Sequence, residues 1–145
     1  MTVLKQTGNK WVAIIVSSII FSVMHSLNPN MSILSYLNLF LVALLFAYMF
    51  LKSNNLWLPI GYHITWNYFQ GYIFGFQVSG QSTESLYKLN VPVNNIITGG
   101  GFGPEGGLVV TFIIIIGYIY MWKFYKPQLL GANNKSEAEN INMNL

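Results

Sequence analysis

The stretch from Ile33 to Phe50 is a nearly unbroken run of apolar residues, and it constrains the fold more than any other feature of the chain. A membrane β-strand would alternate apolar and polar positions over about ten residues, whereas a run this continuous reads as a helix. Leu108 to Tyr120 reads the same way. Counted with their flanks, four apolar stretches emerge, Trp11 to Leu27, Met31 to Leu51, Leu56 to Val78 and Leu108 to Tyr125. Each approaches the ~17 to 25 residues that a spanning helix needs. The expected fold is therefore all-α: a polytopic membrane helical bundle of about four transmembrane helices, embedded in a lipid bilayer.

Composition agrees, because 53% of the 145 residues are apolar and only 8% are charged. A soluble domain of this size seldom has so few charges. All seven basic residues are Lys and all four acidic ones are Glu, which leaves little for nucleic acid and argues against it as a partner. The absence of Cys excludes disulfides, thiolate metal sites and a cysteine nucleophile. Trp11 to Met24 follows Lys5 and Lys10, yet no A-x-A-like site comes after it, so it reads as part of the mature fold rather than a cleaved signal.

Lysine placement gives an orientation. If the chain starts inside, Lys5, Lys10, Lys52, Lys123, Lys126 and Lys135 fall on one side and only Lys88 on the other, which predicts cytoplasmic termini by the positive-inside rule. Residues 1–127 read as one membrane-embedded domain, and 128–145 as a polar, disordered cytoplasmic tail. The loop from Gln81 to Gly107 then lies outside. Its run G-G-G-F-G-P-E-G-G lacks the G-K-[ST] ending of a phosphate-binding loop and reads as a flexible connection into the last helix.

Polar groups inside the apolar stretches are the candidates for function. In G-Y-H-I-T-W-N-Y-F-Q-G, His63, Asn67 and Gln70 are spaced to share one helical face, and His25 ends the first stretch. Unpaired against lipid, such groups would cost several kcal/mol, so they imply an interhelical hydrogen-bond network or a hydrated cavity. Polar glue between helices explains them without any activity. If the two histidines meet, they and Asn67 could bind a divalent metal such as zinc, or polarise a carbonyl while a carboxylate activates water. In a plain up-and-down bundle, however, His25 and His63 would differ in depth by roughly 10 Å, so tilted or shortened helices are needed to join them.

The order of motifs carries a family resemblance. F-S-V-M-H (Phe21 to His25), L-W-L-P-I-G-Y-H-I-T-W-N (Leu56 to Asn67), G-F-Q-V-S-G and G-G-G-F-G-P-E-G-G resemble, over about Trp11 to Met121, the CPBP intramembrane proteases. These are the Abi or CAAX-protease-and-bacteriocin-processing family. The resemblance implies an intramembrane endopeptidase acting on a membrane-associated peptide or protein. It further implies that His25, His63 and Asn67 are catalytic, surrounding the scissile carbonyl and the catalytic water, and that His25 and His63 are the candidate metal ligands.

The family's general base is a glutamate in E-E-x-x-x-R, and this chain contains no such motif. Met1 is expected to begin just after its place. Glu84 and Glu105 lie in the long loop and Glu137 and Glu139 in the tail, where none is expected to replace the base. The chain then reads as a portion of a longer protease, a truncated frame or a relative that kept binding without catalysis. The contrasting function is a non-catalytic membrane protein such as a bacteriocin self-immunity factor. The Arg-free composition rich in Lys, Asn and Ile points to an AT-rich genome, hence to a bacterial cytoplasmic membrane.

Overall fold

The computed structural model describes residues 9–89 and 92–126. The polar tail 128–145 lies outside these residues. Four α-helices form the bundle: α1 (Lys10–Met24), α2 (Ile33–Ser53), α3 (Trp57–Asn67) and α4 (Leu108–Lys123). A 3₁₀ turn, His25–Leu27, extends α1, and a π-helical segment, Tyr68–Ile73, extends α3. Among the described residues no strand forms, only one isolated bridge between Val78 and Gln81.

The boundaries follow from local chemistry. Asn9 caps α1 by accepting from the Trp11 amide at 3.0 Å. Ser32 caps α2 in a reciprocal box with Ser35, which satisfies two amides that a helix start would otherwise leave unpaired. Asn54 ends α2 in the left-handed conformation, with φ of 50°, a geometry that asparagine tolerates better than most residues. Asn55 restarts the chain by accepting from the Trp57 amide at 2.8 Å. Pro59 falls in the first turn of α3, where its missing N–H breaks no helical bond.

Two helices, Lys10–Leu27 and Ile33–Ser53, are long and apolar enough to cross a membrane, and α4 is a shorter apolar helix. Burial shows which faces meet. On α1 only Ala13, Ile14, Ser18 and Ser22 are buried, a stripe of mostly small residues along one face. It lets α1 lie close against α2, and Ser22 Oγ seals the contact by donating to the Tyr36 carbonyl at 2.9 Å. The remaining core joins α2 to α4 through Leu45, Met49, Val110, Ile114 and Met121. Val12, Ile15, Ile19 and Val23 on α1, with Phe112, Ile116 and Ile119 on α4, remain exposed. Outward apolar faces of this kind suit hydrocarbon better than water.

The glycine-rich run departs from the flexible connection expected of it. Gly100, Phe102, Gly103, Glu105, Gly106 and Gly107 are all buried, folded into two short 3₁₀ turns beneath the start of α4. Gly103 makes this possible: its φ is 97°, and a Cβ there would collide with the Gln77 carbonyl. Asn38, buried on α2, fastens the run by donating to the carbonyls of Glu105 at 2.9 Å and Gly107 at 3.0 Å. It also accepts from Thr111 Oγ1 at 2.7 Å. Replacing Asn38→Leu strands these groups and is expected to lower stability by about 1–3 kcal/mol, read as an earlier melting transition in detergent. A melt unchanged from the parent would show that the loop is held by other means.

Candidate active site

His25 and His63, 38 residues apart in sequence, line one cavity. His25 sits in the 3₁₀ turn that ends α1, and His63 lies within the 11-residue α3. Phe21 lies between the two imidazoles, with ring centroids 4.9 Å from His25 and 6.2 Å from His63. Phe46 closes against His63 at 5.4 Å. Aromatic walls on this scale hold the rings and limit water.

The His25 ring is oriented by its own helix. Its Nδ1 lies 2.8 Å from the Phe21 carbonyl, which can only accept, so Nδ1 carries the proton. In the neutral ring Nε2 is then the lone-pair nitrogen.

The carboxylate of the cavity is Glu105, which composition and spacing placed in an outer loop. The glycine turns carry it inward, and it lines the same cavity at 9% exposure. Its Oε2 accepts from the Ser79 amide at 2.6 Å and from Ser79 Oγ at 3.1 Å. Burial pushes the carboxyl above its ordinary range, and this outweighs the opposing pull of the Ser79 amide, the Gln70 and Ser79 side chains and the nearby His25.

Asn67 and Gln70 are placed differently. Neither is among the residues lining the histidine cavity. Asn67 Oδ1 is buried without a hydrogen-bond partner. Gln70 falls in the π-helical segment, is buried, and donates from Nε2 to the Gln77 carbonyl at 2.6 Å. The π turn adds a residue to the helical repeat, so the shared face expected from ideal α-spacing ends after Asn67.

Among the described residues, no three His or Glu side chains gather closely enough to hold a metal ion. This donor set does not by itself fit the expected divalent metal, and the chemistry below uses protein groups alone. Asn38, Ser79 and Glu105 are the site residues that sequence reasoning missed. A faint signal existed in the polar Asn38 within the apolar α2 and in a lone carboxylate flanked by glycines.

A second, larger cavity of about 510 Å³ adjoins the first and shares Tyr62 and Trp66 with it. Its walls are largely apolar, including Leu58, Phe69, Phe74 and Phe76.

A family model described as type II CAAX prenyl endopeptidase, Rce1-like, matches residues 1–69. Over those residues, just under half of the chain, the sequence is similar to that Rce1-like family of the CPBP group. No curated protein and no solved structure matches significantly. The Rce1-like segment contains His25, His63 and Asn67, whereas the glycine turns and Glu105 lie beyond it. The match and the two long apolar helices agree with an integral membrane protein.

The raised Glu105 carboxyl has a consequence for stability. A carboxyl that binds its proton more tightly when folded contributes fully below its unfolded value and loses that contribution as pH rises through the folded one. The charge-bearing or titratable groups facing it are His25, His63 and Tyr62. Thermal melts across that window are expected to fall more steeply with rising pH for the parent than for Glu105→Gln, and parallel curves would contradict the burial effect.

Proposed function

We propose that the chain carries the core of a CPBP-type intramembrane endopeptidase cleaving a membrane-associated peptide or protein. The observation that carries this reading is the meeting of His25 and His63 in one cavity of an apolar bundle, within the segment that matches the family. In this reading His25 Nε2 faces the hydrolytic water or the leaving amine, and His63 donates to the oxyanion of the tetrahedral intermediate. Such donors act strongly because the surroundings are largely dry and the groups need no reorganisation. Asn67, one turn along α3, supplies a buried amide whose Oδ1 could position His63 rather than touch substrate.

The larger cavity gives the substrate a place. Its 510 Å³ falls within the range of small-molecule sites, and its apolar walls suit an aliphatic or lipid-modified portion of the peptide. Tyr62 and Trp66 stand between that portion and the histidines. The lysine distribution supports cytoplasmic termini, and the composition supports a bacterial cytoplasmic membrane.

Two substitutions test the arrangement. His63→Ala removes an oxyanion donor and is expected to reduce cleavage of a membrane-associated peptide at least about 100-fold with expression intact. Cleavage at the parental rate would refute the assignment. Gly61 lines the larger cavity, and a Cβ added there meets no atom within 4 Å. Gly61→Leu is therefore expected to fold normally yet raise KM for a substrate with a bulky apolar group, while a shorter substrate is spared. Equal KM values for both substrates would place the apolar group elsewhere.

A further inference from the structure

The lysines of the described helices gather at one end of the bundle. α1 runs antiparallel to α2, since Ser22 near the end of α1 bonds to Tyr36 near the start of α2. α4 runs parallel to α2, since Thr111 meets Asn38 and Tyr118 stacks on Tyr48. α3 follows α2 after a short turn and starts beside its end. The start of α1, the end of α2, the start of α3 and the end of α4 therefore share one level. They carry Lys10, Lys52, Trp57 and Lys123, and Lys126 comes just beyond α4. The described glutamates, Glu84 and Glu105, lie in the loop at the opposite end.

The same end carries the exposed indoles. Trp11, Trp57 and Trp122 are 59%, 75% and 73% exposed, whereas Trp66, the fourth tryptophan, lines the cavities. The ammonium groups of Lys10, Lys52 and Lys123 stand 5.8, 5.8 and 5.6 Å from the ring centroids of Trp11, Tyr48 and Phe124. A ring face steadies an ammonium without neutralising it, so the positive charges of Lys52 and Lys123 persist. Both sit at helix C-termini, where they also offset the negative ends of the helix dipoles that would otherwise repel an anion.

Beneath the lysines the surface turns apolar. Trp11, Ile15 and Ile19 form an exposed stripe on α1 by their spacing, and Trp122, Ile119 and Ile115 do so on α4. Positive charge at the end with an exposed hydrocarbon face below it matches both parts of an anionic phospholipid, whereas a soluble acidic peptide matches only the first. Indoles at that boundary suit the headgroup level, because their rings are apolar and their N–H groups need a polar partner.

We propose that this end of the bundle is a docking surface for anionic phospholipids. Lys52, Lys123 and Lys126 hold the headgroup phosphates, Lys10 extends the surface to α1, and the apolar stripes receive the acyl chains. A lysine ammonium acts as a compact point charge, so the surface selects for headgroup charge and not for headgroup shape. The opposite end offers only Lys88 among the described residues, which makes the docking one-sided and sets which leaflet the lysine end adjoins. Lipid docking here needs no catalytic role for the histidines.

The test reconstitutes the full chain in phosphatidylcholine vesicles containing a minority of labelled lipid. The label is a nitroxide near the headgroup end of one acyl chain, carried by phosphatidylglycerol in one arm and by phosphatidylcholine in the other. It quenches nearby indoles, so tryptophan emission reports which lipid adjoins Trp11, Trp57 and Trp122. At low salt the labelled phosphatidylglycerol is expected to associate about fivefold more strongly than the labelled phosphatidylcholine, the selectivity that one surface lysine gives an anionic lipid. Most of that preference is expected to vanish at about 1 M salt, where the screening length is about 3 Å. K52Q/K123Q/K126Q is expected to abolish it and K52R/K123R/K126R to retain it, with both variants melting as the parent does. Equal quenching by the two lipids in the parent overturns the proposal, as does a preference that survives the glutamine variant or is lost in the arginine one. Should the glutamine variant melt early, the parent decides alone, and a preference untouched by salt overturns the proposal. Soluble polyglutamate that shifts the emission where labelled phosphatidylglycerol does not would assign the surface to an acidic peptide instead.

Discussion

Inside hydrocarbon every backbone and side-chain polar group must find its partner within the protein, and Asn38 is where the bundle meets that demand. Its amide ties two carbonyls of the glycine turns to α2, and its oxygen receives the hydroxyl of Thr111 on α4. One side chain thus joins two helices and the loop between α3 and α4. Because the turns bear Glu105, the same bonds fix the carboxylate that lines the histidine cavity. An apolar residue at this position would pack as readily, but it would leave the loop free to leave the bundle.

The loop is pinned from the other side by backbone approaches that only glycine permits. Gly103 passes against the Gln77 carbonyl, and the Gly80 amide donates to the Phe102 carbonyl at 2.7 Å. Phe102 is almost wholly buried between these strands of loop. Gln70, at the π turn, bonds to the segment that Gly103 approaches, so the change in helical repeat and the glycine turns belong to one assembly. A π turn is less stable than continued α-helix and persists where surrounding contacts require it. Here those contacts orient a carboxylate.

Much of the bundle was legible because apolar run length and helix caps are local signals. Asn9, Ser32 and Asn54 mark ends that the sequence patterns place within a few residues. The third stretch was read to Val78, whereas helix ends at Ile73, since Gly71 and Gly75 allow the chain to turn back against Thr83 and Tyr87. His25 and His63 were legible as polar groups at membrane depth, but their meeting was not, because it depends on how α1 and α3 pack around Phe21, which no local signal encodes. Glu105 was hidden for a different reason. Glycine-rich sequence looks the same whether its conformational freedom is left unused or spent on tight turns, and only the partners Gln77, Ser79 and Asn38, distant in sequence, decide between them.

Hydrolysis within a membrane demands that water reach a scissile bond without solvating the bundle. The two cavities divide that requirement by size and polarity. The histidine cavity admits little more than a water molecule among ionisable groups, while the larger one is apolar and can bury a substrate segment. Tyr62 and Trp66 form the shared wall, their rings nearly parallel at 7° with centroids 6.4 Å apart. In the proposed function, a peptide bond presented past that wall would face His63. The dryness that makes a buried charge costly also makes each hydrogen bond to the developing oxyanion stronger, so the apolar bundle is part of the chemistry and not only its support.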